Sequence, residues 1–88
     1  MENREIARQF ALLANLMELH GENAFKTKAY SSAYLSIRKW DTPIEEMAVE
    51  SIDTIPGVGQ SVISKIKELI TTGRIDALEA LKARTPEG

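Results

Sequence analysis

The chain has 88 residues, 43% hydrophobic and 27% charged, with a formal net charge of −2, which is enough for one small domain that buries roughly 60% of its unfolded surface. With no cysteine and with His20 as the only histidine, it excludes a disulfide scaffold, a zinc knuckle, a thiol nucleophile, a His-based metal site and a Ser-His-Asp triad. No apolar run approaches a bilayer span and no signal peptide opens the sequence, so a reducing, cytoplasmic address away from membranes is expected.

Helix signals dominate and strand signals are absent. Asn3 reads as an N-cap, and Ile6, Phe10, Leu13, Met17 and His20 recur at helical spacing until Gly21 offers a left-handed stop. A second helix is expected from about Ala24 to Trp40, with Tyr30, Ala33, Tyr34 and Ile37 on one face and Lys26, Lys28 and Lys39 toward solvent. Its small residues, Ala29, Ser31, Ser32, Ala33 and Ser36, allow close packing. Thr42-Pro43-Ile44-Glu45 has the form of a capping box with proline at the first helical position, which predicts a short third helix to about Glu50. Ile52 to Ile55 predicts one further turn, leading into Pro56-Gly57-Val58-Gly59, where two glycines permit backbone angles that other residues resist. A helix from Gln60 to Thr72 should bury Val62, Ile63, Ile66, Leu69 and Ile70 and stop at Gly73. Ile75, Leu78 and Leu81 mark a last helix ending near Pro86. The expected fold is all-α: a single domain over residues 1–88, a small bundle of about five helices with short connections.

The run from Ile55 to Ile66 carries the most chemistry. A tight glycine hairpin opening straight into a helix leaves backbone N–H groups unpaired, and the positive end of the helix dipole also favours an anion. Gly57, Val58, Gly59, Gln60 and Ser61 therefore form a candidate phosphate site that needs no side chain. The pattern, an apolar residue, Pro-Gly-apolar-Gly, then apolar and lysine positions, resembles the helix-hairpin-helix motif of DNA-binding proteins, here spanning about residues 52–72.

The likeness extends along the chain. Glu5-Ile6-Ala7, Gly21-Glu22-Asn23-Ala24-Phe25-Lys26-Thr27-Lys28-Ala29-Tyr30, Ile55 to Ile66 and Thr72-Gly73-Arg74-Ile75 resemble, in order, landmarks of the N-terminal lyase domain of family-X DNA polymerases. The closer likeness is to the bacterial and archaeal branch, which continues into a PHP-type phosphoesterase domain. In that branch a stretch similar to Thr85-Pro86-Glu87-Gly88 leads into a second hairpin, so the chain reads as a domain of a longer polymerase with downstream polymerase domains as partners.

The resemblance implies residue roles. Lys65 falls where lyase members place the amine that forms a Schiff base with the sugar aldehyde left by base loss, before β-elimination frees the 5′ deoxyribose phosphate. Lys26 falls on a 5′-phosphate contact, Tyr30 on a tyrosine of the same pocket, and Phe25 on a ring that stacks on an unpaired template base. Asp53, Ile55 and Val58 take positions whose main-chain carbonyls hold a sodium or potassium ion between hairpin and DNA; no other cofactor is implied. Ser61 departs from the pattern, standing where lyase members carry another phosphate-binding lysine.

Charge by segment supports a local rather than a global reading. Lys26, Lys28, Arg38 and Lys39 give residues 25–40 a charge of +4, while Asp41, Glu45, Glu46, Glu50 and Asp53 give residues 41–58 a charge of −5. A polyanion responds to the local field, so one basic stretch beside a hairpin rich in backbone donors could bind phosphate on an acidic domain, whereas charge alone equally describes a solvated helix face. Read without the resemblance, Phe25, Tyr30 and Tyr34 are core aromatics, Lys65 is a solvent-exposed lysine on the turn with Ser61 and Glu68, His20 is a half-buried residue suited to a helix C-terminus, and Trp40 closes the core. The acidic run is expected to face away from DNA.

Three functions compete at this level. The first is a monomeric, sequence-independent module that docks a polymerase on gapped or nicked DNA bearing a 5′-phosphate. The second is a lyase acting through Lys65. The third is a protein-interaction domain that uses its acidic surface.

Overall fold

The computed structural model describes residues 1–85, and every regular element in them is helical. Four α-helices, α1 (Asn3–Leu19), α2 (Ala24–Lys39), α3 (Gln60–Thr72) and α4 (Asp76–Ala83), are joined by short loops, with two 3₁₀ turns at Ile44–Glu46 and Val49–Thr54 between α2 and α3. The all-α bundle expected from the sequence is therefore present. Helix α1 lies along α2 on one side and receives α4 on another, while α3 packs against α2 and the second 3₁₀ turn.

Helical spacing explains the core. Ile6, Ala7, Phe10, Leu13, Ala14 and Met17 form one buried stripe on α1, met by Tyr30, Ala33 and Ile37 of α2, by Val62, Ile63, Ile66 and Leu69 of α3, and by Leu78 and Leu81 of α4. Ile70 is only half-buried, at the margin of that face. Trp40 packs half-buried against the core, its indole N–H donating to the Met47 sulfur at 3.2 Å.

Local chemistry sets the helix ends. Gly21 adopts φ +66°, and the Gly21 and Glu22 N–H groups return to the Glu18 and Met17 carbonyls, a Schellman closure of α1. His20, half-buried at this end, lies 2.9 Å from the Thr85 hydroxyl. The Asn23 side chain caps α2 by accepting from the Phe25 and Lys26 N–H groups at 2.8 and 3.3 Å. Helix α4 is capped from outside, as the Asp76 N–H donates to the Glu68 carboxylate at 2.8 Å. It ends at Ala83, and the end expected near Pro86 lies outside the described residues.

Two expectations change. Asn3 is the first residue of α1 rather than its N-cap, and it acts across the fold instead. Its amide nitrogen donates to the Trp40 and Thr42 carbonyls at 3.1 and 2.8 Å, and its oxygen accepts the Ile44 N–H at 2.8 Å. Asn3 thus takes the cap that Thr42 was expected to provide, and the third helix expected from Thr42 to Glu50 becomes the two 3₁₀ turns. The acidic segment explains why: Asp41, Glu45, Glu46, Glu50 and Asp53 repel one another at helical spacings with no cation among them. Burial of Ile44, Ile52 and Ile55 holds the segment down, and all five carboxylates are exposed.

Asn3→Ala should therefore cost about 1–3 kcal/mol, because it orphans the part-buried Ile44 N–H and releases two carbonyls. Urea unfolding of the variant beside the parent measures this, and an unchanged midpoint would count against the clamp.

Candidate nucleic-acid interface

The hairpin sits where the second 3₁₀ turn hands over to α3. Ile55 is buried, Val58 packs half-buried against the core, and Pro56, Gly57 and Gly59 are exposed. Gly57 adopts φ +84°, and a β-carbon there would collide with the Ser36 hydroxyl of α2. Gly57 is thus glycine for its left-handed backbone, since the Ser36 hydroxyl can rotate away from a β-carbon. Gly59 differs from the sequence expectation: its φ of −98° and ψ of −178° are extended backbone open to any residue, and a β-carbon there would meet nothing within 4 Å. Among the described residues, nothing requires glycine at residue 59.

Helix α3 begins at Gly59 with no side-chain cap. The first amide of this region to find a partner is that of Ile63, which donates to the Gly59 carbonyl at 2.9 Å. Among the described residues, the six N–H groups from Gly57 to Val62 have no acceptor in the chain. They include the amides of all five hairpin residues singled out in the sequence, at the positive end of a 13-residue helix.

Next to the hairpin, α2 and α3 form a seam. The Tyr30 ring is buried against Phe10, with centroids 6.0 Å apart, and its hydroxyl lies 2.6 Å from the Ser61 hydroxyl. One turn further along α3, the Lys65 ammonium lies 5.4 Å from the Tyr30 ring centroid, within cation–π range. Lys65 is half-buried in this position, not the freely exposed lysine that α3 periodicity alone suggests. Lys26 stands exposed one turn before Tyr30 on α2, so Lys26, Tyr30, Ser61 and Lys65 share one seam. Phe25 is 88% exposed, which removes it from the core and leaves an open aromatic face beside Lys28, Ala29 and Ser32 of α2.

The carbonyl trio has the right donor chemistry for a hard monovalent cation. The Ile55 and Val58 carbonyls accept no hydrogen bond among the described residues, and the missing N–H of Pro56 removes the 3₁₀ partner of the Asp53 carbonyl. No cluster of three or more His, Cys, Asp or Glu side chains gathers among the described residues, so carbonyl oxygens are the donors on offer.

Residues 1–75 match the family described as "Helix-hairpin-helix domain". Over 88 residues, the whole of this chain and 15% of the relative, the sequence is 34% identical to the DNA polymerase/3'-5' exonuclease PolX of Bacillus subtilis. Over 77 residues, 88% of this chain and 14% of the relative, it is 34% identical to DNA polymerase lambda of Arabidopsis thaliana. Both matches bear out the resemblance to family-X polymerases, and the chain spans only 15% and 14% of these two curated relatives.

The two glycines should separate in stability. Gly57→Ala is expected to cost about 1–3 kcal/mol from the left-handed backbone alone, whereas Gly59→Ala should cost below about 1 kcal/mol as a modest loss of N-cap preference. Thermal unfolding of the two variants provides the comparison, and equal losses would contradict the geometry.

Proposed function

The chain belongs to the helix-hairpin-helix domain family, and on that premise we propose that it is a sequence-independent DNA-binding domain that docks a family-X polymerase on gapped or nicked DNA during repair. The six unpaired N–H groups from Gly57 to Val62 carry this reading. They suit phosphodiester oxygens, which every DNA sequence presents alike. Gly59 adds support, because a residue with no internal need for glycine is explained by close approach of a partner's backbone. Lys26 supplies the charge that draws a 5′-phosphate to the seam, Phe25 supplies a face for an unpaired base, and a sodium or potassium ion on the Asp53, Ile55 and Val58 carbonyls bridges hairpin and strand.

Gly59→Val should keep a folded circular dichroism spectrum and lose at least tenfold in affinity for a gapped duplex. Lys26→Ala should lower the slope of log affinity against log salt by about one and weaken the preference for a 5′-phosphorylated gap. Parent-like binding by a folded Gly59→Val would reduce the hairpin to a structural turn.

The position of Lys65 favours a second reading, a 5′-deoxyribose-phosphate lyase. Lys65 is half-buried, with its amine 5.4 Å from the Tyr30 ring centroid. Its nitrogen would add to the C1′ aldehyde with loss of water. Removal of a C2′ proton would then expel the 3′ oxygen as the C3′–O3′ bond breaks, and hydrolysis would restore the lysine. Borohydride should trap a protein–DNA adduct from the parent, most of it absent in Lys65→Ala and more of it present in Ser61→Lys, where a second cation joins the pocket. An undiminished adduct from Lys65→Ala would remove this reading and leave the binding function standing.

A further inference from the structure

Between α1 and α2 runs a groove lined by Arg4, Ala7, Arg8, Ala11, Tyr34 and Arg38. Arg4 and Arg8 lie on successive turns of one face of α1, and Tyr34 and Arg38 do the same on α2. The Arg38 guanidinium donates to the Tyr34 hydroxyl at 3.1 Å and stands 5.9 Å from its ring centroid, so one wall is fixed in place. Ala7 and Ala11 contribute no side chain beyond a methyl group, which keeps the floor open. Among the described residues, none of these three guanidiniums has an ion-pair partner. Glu2 and Asp41 line a neighbouring depression that shares Arg4 and Arg38, so the positive field is strongest toward Arg8.

Three like charges around one groove repel one another, and an anion seated among them relieves that cost. Guanidinium groups suit phosphate in particular, because their planar N–H pairs match two of its oxygens. The groove, ≈ 530 Å³ and open to solvent, has room for a hydrated phosphodiester. Its location is separate from the hairpin. Ser36 is the α2 residue that faces Gly57, and Tyr34 and Arg38, two residues to either side, point about 160° away from it around the helix.

We propose that this arginine groove is a second phosphodiester-binding surface, taking a run of nucleic-acid backbone not contiguous with the run held at the hairpin. The proposal rests on the DNA-binding reading above. Two surfaces on opposite flanks of α2 hold a substrate more firmly than either alone and fix the domain's orientation on it, since the second contact forms at the high effective concentration set by the first.

The test compares the parent, Arg4→Ala/Arg8→Ala/Arg38→Ala, the single variant Arg8→Glu, and Gly59→Val. All three arginines are exposed, so the folded state should survive, as thermal unfolding will verify. Binding is measured across a salt series to a long-armed gapped duplex and to a short 5′-phosphorylated oligonucleotide that covers only the hairpin. On the long substrate the triple variant should lose at least tenfold in affinity and about two to three in salt slope, with Arg8→Glu following the same trend, while short-oligonucleotide binding changes less than twofold. Parent-like binding and slope in the arginine variants, with Gly59→Val still defective, would overturn the groove proposal alone. A parent that binds neither substrate would overturn it together with the DNA-binding reading. Loss of binding to a polyglutamate peptide with unchanged DNA binding would assign the groove to an acidic protein partner and overturn the proposal.

Discussion

Gly57 meets Ser36 where the hairpin lies against α2, and the surface offered to a phosphate follows from that contact. Glycine takes φ +84° without strain, and its missing β-carbon leaves room for the Ser36 hydroxyl as it stands. Once the turn is pressed there, the chain leaves it extended at Gly59 and enters α3 with no residue in position to cap it. At α2 and α4 side chains take up orphan amides, Asn23 at the start of α2 and Glu68 at the Asp76 N–H of α4, whereas α1, like α3, starts without a side-chain cap. A serine or aspartate at residue 59 would have stabilised α3 in the ordinary way and occupied the donors that make the site. Local stability is thus withheld at the start of α3, beside the hairpin, where an external anion could supply it.

Electrostatics point the same way. A domain of net charge −2 gains little from long-range attraction to DNA, so position matters more than sum. Four of the five carboxylates of residues 41–53 sit on the two 3₁₀ turns, with Asp41 just before them, and the segment is fastened by Asn3 at one end and by buried Ile52 and Ile55 at the other. Ile44, Ile52 and Ile55 face inward from that segment, and its carboxylates stay at the surface. The cations of α2 then act on two flanks, with Lys26 beside the hairpin seam and Arg38 beside α1.

Much of this was legible in the sequence because periodicity and glycine placement report strong constraints. The buried faces of α1 and α3 and the stops at Gly21 and Gly73 follow from spacing and from backbone freedom at single positions. The segment around residues 44–54 was misread because a capping box is a local signal. A more distant side chain, Asn3, took the Ile44 N–H, and mutual repulsion among carboxylates weakened the helix the box would have started. Gly59 looked equivalent to Gly57 because composition does not separate a glycine required by φ from one that leaves room for a partner. Lys65 looked solvent-exposed because helical phase places a Cα and not the end of a long side chain, which here bends back over a ring supplied by another helix. The arginine groove joins residues more than 25 positions apart in sequence, and its only trace in the chain is i, i+4 spacing on two separate helices.

Ser61 shows how the seam is balanced. By resemblance to lyase members a lysine belongs on this turn; here a hydroxyl stands 2.6 Å from the Tyr30 hydroxyl. The pair ties the first turn of α3 to the middle of α2 and fixes the tyrosine whose ring carries Lys65. A second ammonium at residue 61 would lie one helical turn from Lys65, so the two cations would repel when no phosphate is present. Serine removes that repulsion and leaves the unliganded seam ordered, at the cost of one positive charge when an anion arrives. On the DNA-binding reading proposed above, an anion would be held mainly by neutral backbone amides, with Lys26 and Lys65 as the nearby cations. Backbone amides are fixed in direction by the fold and do not titrate, so a site built this way favours correctly placed phosphate geometry over charge density.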